Sequence, residues 1–171
     1  MDITLFARLN IPAEAERSKV YDDATGKTIG PGTLVIGNPT IAIGRNVGPT
    51  GPGLRPSEMV SMLGNDETDV ESEAKAFAWY PHLDPIRQTV VCSMIFNMGL
   101  GKFGITDDQG FKDLHHALAL YVTQTDPDAK AKTLQAAHDA MLASKWAAAP
   151  PAGVGDRAKV LASIMVSGVS P

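Results

Sequence analysis

Residues 33 to 46 read Thr33-Leu34-Val35-Ile36-Gly37-Asn38-Pro39-Thr40-Ile41-Ala42-Ile43-Gly44-Arg45-Asn46. Aliphatic and β-branched residues come in short runs, and Gly37, Pro39 and Gly44 separate them. Thr28-Ile29 is a similar patch, bounded by Gly26 on one side and by Gly30-Pro31-Gly32 on the other. Short strands joined by tight turns fit this composition, so strands are expected at Thr28-Ile29, Thr33 to Ile36 and Thr40 to Ile43. Upstream, Ile3, Leu5, Phe6 and Leu9 form the apolar set of a short helix over residues 2 to 10, interrupted near Pro12. Downstream, residues 47 to 56 are rich in Gly and Pro and form a loop.

From Ser57-Glu58 onward the period changes from two to between three and four. Met59, Leu63, Val70, Ala74 and Phe77 form one helical stripe, and the helix is expected to end near Tyr80-Pro81. Asp66 falls on that stripe, and a carboxylate on a buried face needs a partner. Ile86, Val90, Val91, Met94, Ile95 and Met98 make a second apolar face, broken by Gly99 to Gly104. Asp107 or Asp108 is expected to cap a helix carrying Phe111, Leu114, Leu118 and Tyr121. Another helix is expected from Pro127 to Ser144. Residues Ala147 to Gly155 form a loop, and Asp156 caps a last helix with Val160, Leu161 and Ile164. The order predicts an α+β fold: an N-terminal α+β lobe over 1–56, a connecting helix over 57–80 and a helical lobe over 81–171. Two lobes sharing a helix leave a cleft where an elongated substrate can lie.

Composition narrows the function. The 171 residues carry a net charge of -4, with no basic stripe or polybasic run, which argues against nucleic-acid binding. Cys92 is the single cysteine, so no intramolecular disulfide forms; its apolar surroundings suggest a buried, inert thiol. His82, His115, His116 and His138 are scattered, without His-Glu-x-x-His or zinc-type spacing, so neither metal nor cofactor is expected. His115-His116 is expected at a helix surface, and Trp79 and Trp146 in packing roles. No basic n-region with a following apolar stretch opens the chain, and no run approaches ~18 apolar residues. Neither a signal peptide nor membrane insertion is therefore expected.

Carboxylates near the strands are the candidates for chemistry. Glu14 precedes the strands, and Asp22 and Asp23 follow Val20-Tyr21 at the first turn. Glycoside hydrolysis needs one protonated carboxyl and one ionised carboxylate on opposite sides of the scissile bond. A helix end leading into a hairpin can place two groups nine positions apart across one cleft. The same spacing also fits surface carboxylates flanking a turn.

The segment Glu14-Ala-Glu-Arg17-Ser-Lys19-Val-Tyr21-Asp-Asp23 resembles the phage lysozyme family typified by the T-even phage enzyme, whose pattern is Glu-Gly, Arg, then Tyr-x-Asp. Gly37-Asn-Pro-Thr40-Ile-Ala-Ile-Gly44-Arg45-Asn46 is similar to that family's Gly-x-x-Thr-Ile-Gly-x-Gly strand and turn. Phe96-Asn97-Met98-Gly99 resembles its core helix, and Ser144-Lys-Trp146 with Arg157-Ala-Lys resembles its Ser-x-Trp…Arg-Ala segment. The blocks keep the family's order and cover most of the chain. Three features depart from the pattern: Ala15 in place of Gly, an insertion around residues 27 to 38, and a longer Ala147 to Gly155 loop.

The resemblance implies a lysozyme-like fold and a muramidase that hydrolyses β-1,4 bonds between N-acetylmuramic acid and N-acetylglucosamine in bacterial peptidoglycan. It makes Glu14 the general acid, Asp23 the ionised partner and Thr40 the group that positions water. Thr28, in Thr28-Ile29-Gly30, is the alternative to Thr40. Arg157 and Asn97 become substrate-binding or supporting residues, with Arg157 holding Glu14. Arg45 and Asp66 match a family ion pair between sheet and long helix. A monomeric endolysin is implied, held in the host cytoplasm until a holin gives access to the wall. The rivals are a lytic transglycosylase, which needs Glu14 without Asp23, a zinc amidase, and a non-catalytic wall-binding module.

Overall fold

The computed structural model describes residues 17–42, 44–104, 111–148 and 154–169. The expected helix over 2–10, Glu14, Asp107 and Asp108 lie outside them. The architecture is α+β: a three-stranded antiparallel sheet and, among the described residues, six α-helices. The chain divides into two compact units, Met1–Met62 and Leu63–Pro171.

The first unit holds the sheet. Strand β1 spans Arg17–Asp22, β2 Pro39–Ala42 and β3 Arg45–Asn46, in the order β1-β2-β3. Tyr21 pairs with Thr40 in β2 and also forms a bridge with Thr28. The chain at 28 thus lines the other edge of β1, with Ile29 N–H donating to the Val20 carbonyl at 2.9 Å. The expected strand Thr33 to Ile36 does not form. Leu34 is 84% exposed and Ile36 72% exposed, so this run has no apolar layer to pair against, and it serves as a loop. Between β2 and β3 the chain turns through two left-handed residues, Ala42 (φ 55°) and Gly44 (φ 68°).

The helix α1 spans Pro56–Ala74, and the division between the units falls inside it. It stops well short of the expected Tyr80, where a separate 3₁₀ turn covers Tyr80–His82. Its stripe is buried only at Val70 and Ala74; Met59 and Leu63 are about half exposed. Glu58, three residues into the helix, accepts the Arg55 N–H at 2.6 Å, as the reciprocal half of a capping box does. The same carboxylate takes the Arg45 guanidinium at 2.5 Å, and these contacts hold its pKa below the ordinary value. The expected Arg45–Asp66 pair is therefore replaced by Arg45–Glu58, and Asp66 is exposed. Distance supplies the reason: eight helical residues at 1.5 Å each put Asp66 about 12 Å further along the axis than Glu58.

The second unit is helical: α2 Pro85–Met98, the single turn α3 Leu100–Phe103, α4 Lys112–Thr123, α5 Pro127–Ala143 and α6 Val154–Ser167. Pro at the first helical position, behind an aspartate cap, starts both α2 (Asp84) and α5 (Asp126). Helix α4 begins behind Phe111, with no side-chain cap, and Asp156 lies inside the first turn of α6 rather than at its cap. Val91, Met94, Phe103, Phe111, Leu114, Leu118, Met141 and Met165 are fully buried and form the centre of the core.

Two polar groups are built into that core. Arg87 donates to the Met165 and Val166 carbonyls at 2.8 Å each and to Asp84 at 2.5 Å, so it closes the C-terminus of α6 onto the start of α2. Gly168 ends α6 with φ 65°, and a Cβ there would stand 2.7 Å from Arg87 Nη1. His115 corrects the expectation of a surface pair: His116 is exposed, but His115 is only 4% exposed. Its ring lies 4.7 Å from Phe77, 5.0 Å from Phe103 and 5.5 Å from Trp79 between centroids. Nε2 lies 2.8 Å from the Phe103 carbonyl, which makes Nε2 the protonated nitrogen, while Nδ1 has no partner among the described residues. Burial pushes the imidazole pKa down and outweighs the opposing effect of that carbonyl.

Two predictions follow from this packing. Gly168→Ala is expected to destabilise the protein by about 1–2 kcal/mol from the left-handed backbone alone, seen as a melting temperature lowered by roughly 2–8 °C. His115 is held neutral in the fold but takes a proton once unfolded. Stability is thus full above the ordinary histidine value near 6.5 and declines as pH falls from there toward the lower folded value. In His115→Phe, urea midpoints measured across that window should lose most of this slope.

Candidate functional site

The site is built at the end of β1. Tyr21 anchors the strand: it is buried, and the Arg17 guanidinium sits 4.6 Å over its ring. After Asp22 the chain reverses. Gly26 N–H returns to the Asp22 carbonyl at 2.8 Å, and Gly26 takes the positive φ of 66° that the reversal requires. This turn leaves Asp22 beneath and Asp23 at the tip.

The two neighbouring aspartates have opposite environments. Asp22 is 1% exposed, and its carboxylate accepts three backbone N–H groups, from Ala24 at 3.0 Å and from Ile36 and Gly37 at 2.9 Å each. These donors, Ile36 foremost, hold its pKa below the ordinary value even though burial pushes the other way. Asp23 is exposed. Its Oδ1 accepts the Asn38 N–H at 2.6 Å and its Oδ2 accepts Asn38 Nδ2–H at 3.0 Å. The backbone bond, then the side-chain bond, from Asn38 holds its pKa below the ordinary carboxylate value, so it is ionised at neutral pH. Asp22 and Asp23 together therefore grip three consecutive residues, 36 to 38. Gly37 fits between them only because it lacks a Cβ, which would stand 2.0 Å from Asp23 Oδ1.

Thr40 lies on β2, opposite Tyr21, and is 2% exposed. Its hydroxyl donates to the Asn38 carbonyl at 3.1 Å, and the same carbonyl accepts Asp23 N–H at 3.1 Å. Asp23 and Thr40 are thus joined through Asn38. Thr28 is exposed on the other edge of β1 and has no place in this cluster.

The remaining candidates fall in the second unit. Asn97 is exposed, and its Oδ1 accepts Trp146 Nε1–H at 2.6 Å, so its carbonyl end is spent holding the chain after α5. Arg157 is exposed on α6 and lines an open pocket of about 530 Å³ with Leu63, Val70, Cys92 and Phe96 at its apolar wall and Glu67 and Glu71 beside it. Cys92 is half-buried, with Sγ 3.2 Å from the Tyr80 hydroxyl, and burial pushes its thiol pKa up. No group of three or more His, Cys, Asp or Glu among the described residues could hold a metal ion, and no described helix is long and apolar enough to cross a membrane.

Sequence reasoning placed Asp22 at the first turn and Gly37 between strands, but it missed that Asp22 holds the 36–38 loop and gave Asn38 no role. The signal for both was the Gly-Asn-Pro turn following two consecutive aspartates, since Asp and Asn side chains bond to nearby backbone groups in turns. No protein-family model matches the chain, and no curated protein matches it.

The β2–β3 turn offers a local test. Ala42 adopts a left-handed conformation that costs a non-glycine residue about 1–2 kcal/mol, partly offset because glycine gains entropy in the unfolded chain. Ala42→Gly is expected to raise stability by roughly 0.5–1 kcal/mol, checked by thermal unfolding; an unchanged or lower melting temperature would count against strain at this turn.

Proposed function

We propose that the protein is an endolysin of the phage lysozyme kind, with a lysozyme-like fold, cleaving β-1,4 bonds between N-acetylmuramic acid and N-acetylglucosamine in bacterial peptidoglycan. The observation that carries this reading is Asp23: an exposed carboxylate, kept ionised and fixed in orientation by Asn38, nine positions after Glu14. An inverting glycosidase uses such a group to take the proton of the attacking water. Glu14 would be the general acid that protonates the leaving oxygen. Arg157 and Asn97 would serve the same substrate, with Arg157 supporting Glu14. The rest of the reading rests on the ordered sequence blocks: a monomer without cofactor that waits in the host cytoplasm and reaches the wall after a holin opens the membrane.

One observation favours a second reading. Thr40 is buried and its hydroxyl proton is already committed to Asn38. A lytic transglycosylase needs no positioned water, because a hydroxyl of the substrate attacks. A wall-binding module would hold glycan without either reaction.

Digestion of purified peptidoglycan, borohydride reduction and mass spectrometry separate these readings. The expected result is reduced muramic acid at the new ends, with Glu14→Gln and Asp23→Asn each lowering the rate at least about 100-fold. Because Asp23 titrates below the ordinary carboxylate range, the acid limb of the rate profile should also lie below it. Anhydro-muramic ends would instead establish a transglycosylase, and intact glycan would leave a binding module.

A further inference from the structure

Asn38 joins Asp23 to Thr40 through its backbone and its side chain together. Its backbone N–H and Nδ2–H reach the two oxygens of Asp23, at 2.6 and 3.0 Å. Its carbonyl receives the Asp23 N–H and the Thr40 hydroxyl, both at 3.1 Å. All four bonds depend on where residues 36 to 38 run, and the buried Asp22 carboxylate sets that path by holding the N–H groups of Ile36 and Gly37. We infer that Asn38 is the positioning residue of this site: it fixes the rotation of the Asp23 carboxylate and the direction of the Thr40 hydroxyl, and Asp22 anchors it from below.

The chemistry follows from donor and acceptor counts. A carboxylate that acts as a base must present one lone pair toward the proton it takes. Asp23, at the tip of a turn, would otherwise rotate freely about its side-chain bonds. Asn38 binds both oxygens, a two-point contact that stops the rotation and leaves the outward lone pairs for water or substrate. The Thr40 hydroxyl, with its proton pointed at the Asn38 carbonyl, can only accept. A water that reaches the Asp23 carboxylate must donate to it, which leaves the water's lone pair for the substrate. Asn38 touches no reacting atom in this scheme and acts through Asp23 and Thr40.

This inference rests on the proposed hydrolase, but it is testable without activity. Among the described residues, β1 and the turn after it carry Arg17, Lys19, Asp22 and Lys27 as charged groups beside Asp23. Asp22, the preceding residue, pushes the Asp23 pKa upward, against Asn38. Residues 28 to 38, strand β2 and the turn at 46–51 carry no titratable side chain. The midpoint pH of the Asp23 carboxyl carbon resonance, measured by NMR, should therefore move upward in Asn38→Ala, where two donors become one. It should also move upward in Gly37→Ala, where the new Cβ forces Asp23 off Asn38 while every charge is kept. Leu34→Ala, in the exposed part of the same loop, should leave it in place. For cleavage of glycan, both of the first two variants should lower kcat about 10- to 100-fold with KM within roughly twofold, and Asn38→Asp should not rescue, since it replaces the side-chain donor with a second negative charge. An Asp23 midpoint unchanged in both variants, or moved equally by Leu34→Ala, overturns the inference. Wild-type protein that leaves glycan intact while the midpoints move as stated would sink the hydrolase reading and keep the positioning role.

Discussion

The first unit depends on one buried carboxylate. Asp22 sits at the end of β1 with almost no access to solvent, and a buried charge persists only when its oxygens are fully engaged. Three backbone N–H groups engage them, two from a loop fourteen and fifteen residues away. The loop cannot leave without stripping the Asp22 carboxylate of two of its three backbone donors, so a stretch with exposed Leu34 and Ile36, and no strand pairing of its own, is held to a single path. Everything described at Asp23, Asn38 and Thr40 is a consequence of that path.

The second unit solves a different problem with the same means. Its core is aliphatic and aromatic, but its closure relies on Arg87, whose guanidinium satisfies the last carbonyls of α6 while pairing with the aspartate that caps α2. A helix end without such partners would bury unsatisfied acceptors. His115 adds a second polar group, tolerated because one nitrogen is bonded and the ring is neutral. The unpartnered Nδ1 is the one unsatisfied buried side-chain atom among the described residues.

For the proposed chemistry, the informative contrast is between adjacent aspartates. Asp22 and Asp23 differ in nothing but placement, yet one is sealed into backbone amides and the other is held at the surface with its carboxylate oriented. Both are ionised, for different reasons: the first through Ile36 and Gly37, the second through Asn38. The same turn thus separates a structural carboxylate from one available to a substrate.

Much of this was legible in the sequence. Proline behind aspartate set the starts of α2 and α5, because a capped first turn has no use for the missing N–H. The apolar spacing in residues 86 to 98 marked a helix, and the Gly-rich runs marked the turns around β2. Local chemistry decides those features. Tertiary structure decided the rest. Thr33 to Ile36 has strand composition but found no partner. His115 and His116 are indistinguishable by type, and only the position of Phe77, Trp79 and Phe103 buries one of them. Arg45 took Glu58 instead of Asp66, because a guanidinium reaches the first turn of a helix and not the third. Asn38 had no role assigned from sequence until the fold laid it across Asp23. In each case the deciding contact joins residues far apart in the chain, and a sequence read locally carries their types but not their distances.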